Sequence, residues 1–251
     1  MIPKLNVAFL DAPITHRALH NATEGRPENS RTAIRAAISH GYAIEIDVQL
    51  SADNQAMVFH DYTLDRLTAA SGRLRGLSLV DLSKIRLNGC DEGIPALPEI
   101  LEIVSGQVPV VIELKDQDGA MGPKVGPLEA AIADTLEQYK GPVAVMSFNP
   151  HSVARMAELC PCVPRGLVTS EYAYSDWPLP VAICDHLREI PDYDRVGASF
   201  ISHEVTDLAR GRVAELKRAG ADVLCWTVKS PEVEVEALEI ADNITFEGYL
   251  A

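Results

Sequence analysis

Short apolar runs of β-branched character recur along this chain, each followed by a polar stretch with helical spacing, and that alternation constrains the fold more than any other feature. The runs fall at 12–15, 42–50, 109–115, 143–148, 165–169, 198–202, 222–228 and 243–246. Seven of the eight are followed by a segment that predicts a helix, at about 29–40, 97–105, 127–139, 150–159, 182–190, 206–219 and 231–238. In the first of these, Ala33, Ile34, Ala37 and Ile38 form one apolar stripe, Asn29 or Ser30 is placed to cap it, and Gly41 to end it. Strands alternating with helices specify a parallel sheet, and eight such units in 251 residues specify an α/β protein of the (β/α)8 TIM-barrel class. An open doubly wound sheet is the alternative. It calls for a glycine-rich phosphate loop after the first strand, where this chain has His16-Arg17-Ala18-Leu19.

The rhythm breaks once. After the second run, Asp53-Asn54 is turn-like and residues 56–60 read as a strand returning within about ten residues, too few for the helical crossover a parallel neighbour needs. With a short helix expected at 79–85, the stretch 51–95 reads as an insertion after strand two, within a single barrel domain spanning 1–251. A chain of this length buries enough surface to need no disulfide framework. Its five cysteines are scattered, and Cys160-Pro-Cys162 lacks the second Cys/His pair a zinc site needs, so free thiols in a reducing compartment are expected. The formal charge of −14 argues against nucleic acid and against an anionic membrane as partner, while a locally basic pocket remains open to a small anionic substrate. The opening MIPKLNVAFLDAP has too short an apolar run for a signal peptide, and no stretch approaches the ~18 residues of a membrane span. A cytoplasmic location without stable membrane association is expected; oligomeric state leaves no mark.

In a barrel of this class the C-terminal strand ends carry the chemistry. Strand one ends in His16 and Arg17. Strand two carries Glu45 and Asp47, two apart and so on one face. The insertion delivers His60 and Asp61, strand three ends in Glu113 and Lys115, strand four in Ser147-Phe148-Asn149, and strand seven in Trp226-Thr227. Neighbouring carboxylates repel, and a site that keeps them ionised usually holds a cation. Glu45, Asp47 and Glu113 offer oxygen ligands to one hard divalent cation, Mg²⁺ or Ca²⁺. Arg17 and Lys115 can neutralise phosphate charge, and His16 and His60 can serve as acid and base. Taken singly each piece has a plainer use: Glu113 and Lys115 can pair with each other, and a lone histidine is more often structural. His20, His40, His151, His186 and His203 are read that way, His203 lying nearest the rim. The convergence of independent strand ends points to a phosphodiester site.

An ordered set of motifs carries a resemblance. His16-Arg17, Pro27-Glu28-Asn29-Ser30, Glu45-Ile46-Asp47-Val48, His60-Asp61 with Leu64-Asp65-Arg66-Leu67-Thr68, Ile112-Glu113-Leu114-Lys115 and Trp226-Thr227-Val228 resemble the glycerophosphodiester phosphodiesterase family, from residue 14 to about 115 and more weakly to the end. The resemblance implies a barrel with a small insertion after strand two, and metal-dependent hydrolysis of glycerophosphodiesters to glycerol 3-phosphate and an alcohol. Carried over, Glu45, Asp47 and Glu113 are metal ligands, His16 and His60 the catalytic pair, Arg17 and Lys115 phosphate holders, and Phe148 and Trp226 pack against the glycerol. Three positions depart from the family's pattern. Ala18 stands where the family has Gly, which puts Arg17's pose in question; Ser30 replaces Thr; and Glu247 replaces the Asp of the last strand, longer by a methylene. The loop 170–180, with Tyr172, Tyr174 and Trp177, is expected to line the leaving-alcohol side, and 116–127, rich in Gly and Pro, to be mobile over the metal. The rivals are a lysophospholipase D or other phospholipid phosphodiesterase on the same site, and a non-catalytic glycerophosphodiester-binding protein, which loss of a histidine or metal ligand would mark.

Overall fold

The computed structural model of the protein describes residues 2–251. A short helix, α1 (Ala8–Asp11), precedes β1 (Ile14–Thr15). Helix α2 (Arg31–His40) leads into β2 (Ala43–Leu50), which returns through β3 (Ala56–Val58) to an insertion containing α3 (Leu79–Leu82). From there the alternation is regular: α4 (Leu97–Val104), β4 (Val110–Leu114), α5 (Pro127–Leu136), β5 (Val143–Ser147), α6 (Pro150–Leu159), β6 (Arg165–Thr169), α7 (Val181–Arg188), β7 (Phe200–Glu204), α8 (Gly211–Arg218), β8 (Asp222–Val228), α9 (Pro231–Ala237) and β9 (Asn243–Phe246). Parallel pairing runs from β2 through β4 to β9 in order, and β1 pairs with both β9 and β2, closing a TIM barrel. The strand β3 stands apart, antiparallel to the C-terminal half of β2, with Val48 opposite Val58.

The strand period sorts side chains between two cores. Ile44, Ile46 and Val48 face outward and pack with the helical layer, together with Ile112, Val145, Leu167, Ile201, Val223 and Ile244. Ala43, Val111, Ala144, Met146, Val168, Phe200 and Leu224 face the lumen. Their successors on β2 and β4, at the C-terminal end, are Glu45, Asp47 and Glu113, with Asp47 directly across from Glu113 in register. The lumen is tight enough to dictate a glycine: a Cβ on Gly166 would sit 2.3 Å from the Phe200 ring. At the N-terminal end α1 inserts Phe9, fully buried among the lumen residues, and Asn243 Nδ2 donates to the carbonyls of Phe9 and Ala12, both at 2.7 Å. That helix was not expected. It also explains why β1 has two residues rather than four: the Ala12 carbonyl is taken by Asn243, and Pro13 has no N–H to give a ladder.

The insertion has its own apolar cluster of Met57, Phe59, Leu64, Leu74, Leu82, Leu87 and Ile94. Burial of side chains of this size is worth about 1.5–3 kcal/mol each, which is what orders a long excursion containing little regular structure. Where its ends pass one another, Gly93 meets Ser83: a Cβ there would lie 1.8 Å from the Ser83 carbonyl oxygen. The helix expected at 206–219 is split. A 3₁₀ turn, Val205–Asp207, comes first, and at the break the Asp207 carboxylate accepts from Arg210 Nε at 2.6 Å. Among the described residues no helix is long and apolar enough to cross a membrane.

Candidate active site

A cavity of about 310 Å³ opens at the C-terminal rim of the barrel, and all nine residues singled out from the sequence line it: His16, Arg17, Glu45, Asp47, His60, Glu113, Lys115, Phe148 and Trp226. A larger groove, about 720 Å³, runs between α4 and α5, but its lining brings together no histidine and no facing carboxylates beyond Glu102 and Asp134. Size alone does not make it the reactive site; the convergence of titratable groups at the rim does.

The carboxylates of Glu45, Asp47 and Glu113 approach within 4.8 Å of one another. Glu45 is buried, its Oε2 accepts the Arg17 backbone N–H at 2.8 Å, and its Oε1 has no hydrogen-bond partner. Burial first, then the charges of Asp47 and Glu113, push the Glu45 carboxyl well above the usual carboxylate range. Asp47 goes the other way. Burial opposes its ionisation, but Lys115, His60, Arg17 and His16 together hold it far below the ordinary value. Lys115 Nζ lies 2.7 Å from Glu113 Oε1 and 3.2 Å from Asp47 Oδ1, and despite its burial those two charges keep the ammonium protonated. An orphaned buried oxygen within an all-oxygen trio is the donor set that a hard divalent cation fits.

Asn29, read from sequence as a possible helix cap, belongs to this trio instead. Its Nδ2 donates to Asp47 Oδ2 at 2.9 Å and its Oδ1 accepts the Asp47 backbone N–H, fixing that carboxylate from two directions; Ser30 is the cap of α2, accepting from Ala33 N at 3.1 Å. A chain of ion pairs continues outward. Arg17 Nη1 donates to Glu28 at 2.9 Å, Glu28 takes both terminal nitrogens of Arg66 at 2.8 Å, and Arg66 reaches back to both oxygens of Asp61. Asp61 in turn accepts from His60 Nδ1 at 2.6 Å. Each histidine thus has a carboxylate on Nδ1, since His16 Nδ1 donates to Glu247 Oε2, also at 2.6 Å. Such a partner fixes the tautomer and leaves Nε2 as the uncommitted nitrogen. Burial lowers the His16 pKa below its ordinary value, with the Glu247 hydrogen bond working against that shift.

Glu247 also lies 3.4 Å from His20 Nε2 and 2.9 Å from Lys229 Nζ, and its acidity is strengthened first by the His16 and His20 hydrogen bonds. His16, His20 and Glu247 form a second group of potential ligands, but here the Lys229 ammonium already neutralises the carboxylate. Lys229 and Arg66 were not singled out as site residues from the sequence, and the only available signal for Lys229 was its place just past a strand end. His203 is a core residue: fully buried, it bonds Thr169 Oγ1 at 2.7 Å and approaches Asp207 Oδ2 at 3.3 Å.

The alanine at 18 leaves Arg17 in place. Arg17 and Ala18 both adopt the left-handed conformation, with φ of 53° and 64°. That conformation costs an L-residue roughly 1–2 kcal/mol, which is the physical reason glycine suits the position. The Ala18 N–H bonds the Glu45 carbonyl at 3.0 Å, and its side chain is buried with the core outside the cavity, so the Cβ does not narrow the pocket. The two loops differ from expectation. Segment 116–127 is tied down: Asp116 accepts the backbone N–H groups of Asp118, Gly119 and Met121, and Asp118 those of Gly122 and Lys124. In the 170–180 loop, Tyr172 is buried and Trp177 stands 4.9 Å from Phe148, so both buttress that ring from behind, and Tyr174 turns away to Asp185, while Pro178 lines a neighbouring pocket between the insertion and the loop after β4. Phe148 packs edge-on against Trp226 at 5.5 Å, and Trp226 Nε1 is held by the Ser202 carbonyl at 3.0 Å. The result is a fixed aromatic wall on the β5–β8 side.

Imidazole–carboxylate pairs beside an oxygen trio and two buried cations, at the C-terminal mouth of a closed parallel barrel, define a barrel hydrolase suited to phosphoesters. Within that class, the chain belongs to the glycerophosphoryl diester phosphodiesterase family, whose sequence model matches residues 16–244. It is 26% identical over 243 residues to YhdW of Bacillus subtilis, covering 92% of this chain and 93% of that one. It is 27% identical over 215 residues to a glycerophosphodiester phosphodiesterase of Caldanaerobacter subterraneus, covering 82% of each. Among solved structures, the fold is similar to that of a phosphodiesterase from Oleispira antarctica in complex with its product sn-glycerol-3-phosphate, with a TM-score of 0.77 at 24% identity over 96% of this chain and 94% of that one.

Proposed function

We propose that the protein hydrolyses small glycerophosphodiesters to glycerol 3-phosphate and an alcohol, using one divalent cation held by Glu45, Asp47 and Glu113. The observation that carries this reading is the unpartnered Glu45 Oε1 inside the acidic trio, beside two histidines that each have a carboxylate on Nδ1. Family membership and the Oleispira product complex support it. When bound, the cation supplies positive charge next to the phosphate oxygens and stabilises the charge that builds up there.

Arg17 and Lys115 hold the remaining phosphate oxygens, and the Phe148–Trp226 wall packs against the glycerol carbons. One histidine takes the proton of the glycerol 2-hydroxyl, whose oxygen attacks phosphorus; the other gives its proton to the departing alcohol oxygen. A five-membered cyclic phosphate forms as the P–O bond to the alcohol breaks. Water then adds to phosphorus with the roles exchanged: one histidine takes its proton, the bond from phosphorus to the glycerol 2-oxygen breaks, the other histidine protonates that oxygen, and each regains its starting state. His16, kept neutral by burial, suits the first base, and His60 the first acid.

A panel of glycerophosphocholine, glycerophosphoethanolamine, glycerophosphoglycerol and lysophosphatidylcholine, with Mg²⁺, Ca²⁺ or a chelator, tests the assignment. Glycerol 3-phosphate is expected from the water-soluble diesters with cation and not with chelator. Faster turnover of lysophosphatidylcholine would instead favour the lysophospholipase D reading. A diester lacking the glycerol 2-hydroxyl should react at least ~10²-fold more slowly, given what a tethered nucleophile contributes; equal turnover would eliminate the internal attack.

Cation binding is expected to release protons. Without a cation the raised Glu45 carboxyl binds a proton at pH values where an ordinary glutamate is ionised, and a ligated cation must displace it. Apparent affinity should therefore rise with pH until Glu45 is ionised in the cation-free protein, then level off. Calorimetric titrations in buffers of different ionisation enthalpy read the proton count; a heat independent of buffer would show that Glu45 is already ionised.

A further inference from the structure

A second pocket, about 410 Å³, opens beside the catalytic cavity, between the insertion and the loop after β4. Its lining continues the site outward in sequence. Gln49 is two residues past Asp47 on β2, Tyr62 is two past His60, and Asp116 and Gln117 follow Lys115. Hydrogen bonds join the two spaces. Gln49 Nε2 donates to the His60 carbonyl, and Gln117 Nε2 donates both to Gln49 Oε1 and to the Lys115 carbonyl, each at 3.0 Å. The backbone and side chains next to His60 and Lys115 therefore form the near wall of this pocket.

Arg73 and Arg75 also line it. They flank Leu74, which is buried in the insertion's own core, and Leu74 N bonds the Tyr62 carbonyl at 3.1 Å while Arg73 bridges to Thr63. Their backbone is thus fixed relative to His60. Among the described residues neither guanidinium has an ion-pair or hydrogen-bond partner, whereas Arg17, Arg31, Arg66 and Arg188 are all paired with carboxylates. Arg73 and Arg75 are exposed, and among the described residues exposed Arg35 and Arg218 likewise have no partner; what sets Arg73 and Arg75 apart is that they share one pocket beside the site. The pocket's own carboxylates are already engaged. Asp116 accepts three backbone N–H groups and Asn149 Nδ2 at 2.8 Å, and Asp118 accepts two backbone N–H groups. With those carboxylates turned to neutral donors, the charged groups of the pocket left without a hydrogen-bond partner are the two guanidiniums.

We propose that this pocket receives the leaving alcohol, and that Arg73 and Arg75 select glycerophosphodiesters whose alcohol carries a second anionic group over those ending in a cation or a neutral hydroxyl. The inference rests on the proposed phosphodiesterase activity. With glycerol against Phe148 and Trp226, the alcohol departs on the side of His60, where this pocket lies.

Two substrate pairs isolate the anionic group: glycerophosphoserine against glycerophosphoethanolamine, which differ by a carboxylate, and the terminal phosphate ester of glycerophosphoglycerol against glycerophosphoglycerol itself. At low ionic strength kcat/KM should be at least about tenfold higher for the anionic member of at least one pair, the scale of a charge-assisted hydrogen bond. The favoured pair tells carboxylate from phosphate, and the preference should shrink with added salt. In the Arg73→Gln/Arg75→Gln double variant the ratio should fall to within about twofold, while activity on glycerophosphoglycerol stays near that of the parent. Equal kcat/KM within both pairs, or a preference that survives the double substitution, overturns the subsite. Failure of the parent protein to cleave any member of either pair with Mg²⁺ or Ca²⁺ would instead overturn the phosphodiesterase reading beneath it.

Discussion

Replacing His16 or His60 with alanine is expected to lower kcat by at least ~10²-fold, the usual scale of a positioned acid or base. Both rings line the cavity, and both have Nδ1 committed to a carboxylate, so each presents one defined nitrogen to substrate. KM should move much less than kcat, because Arg17 and Lys115, the proposed phosphate holders, are unchanged. Removing the partner carboxylates isolates their share: Glu247→Gln and Asp61→Asn keep the shape but lose the charge that steadies a protonated ring, and should cost less than loss of the ring itself. Steady-state kinetics on glycerophosphoglycerol, with circular dichroism to confirm folding, decides the matter. A variant with full activity removes that histidine from the mechanism.

Asp47→Ala is expected to destabilise the protein by about 3–5 kcal/mol, the range for removing one member of a buried ion pair, and to abolish the cation-dependent rate. Asp47 is 1% exposed, and it sits against Lys115 at 3.2 Å, Arg17 at 3.6 Å and Asn29 at 2.9 Å. Without it two partly buried cations lose a shared counter-charge, each keeping one other carboxylate, and Asn29 loses its acceptor. Divalent cation should raise the unfolding midpoint of the parent by mass action on the folded state, and should fail to do so for the variant. Urea unfolding of both proteins with and without cation measures the two effects together. Equal stability of variant and parent would mean that Glu113 alone satisfies Lys115.

Some of this was legible before the fold was seen, for identifiable reasons. Helix α6 and strands β8 and β9 have the bounds the sequence predicts, because Pro150, Asp222 and Asn243 start segments of unambiguous period. The nine cavity residues converge because placing a residue at a strand end already fixes which mouth of the barrel it faces. Other features lack a periodic signal. Four residues of α1 are too few to show a helical stripe, and nothing local announces that Phe9 plugs a lumen. Glu28 and Arg66 are 38 residues apart in sequence, and only the fold shows them bonded to each other, with Arg17 joined to Glu28 and Asp61 to Arg66. Asn29 resembles a cap until its left-handed φ of 59° turns it toward Asp47. The Gly and Pro content of 116–127 suggested mobility, but Asp116 and Asp118 supply the acceptors that such a loop otherwise lacks.

The plug at the N-terminal end of the barrel sets the traffic of the reaction. With Phe9 and Leu5 filling the lumen below Ala43 and Leu224, the reactive space is a cup that opens at the rim. In the proposed reaction glycerol 3-phosphate, packed against the aromatic wall, is expected to leave the cup after the alcohol. Glycerol 3-phosphate added from the start is therefore expected to compete with the diester for the cup, which initial rates at several product concentrations measure.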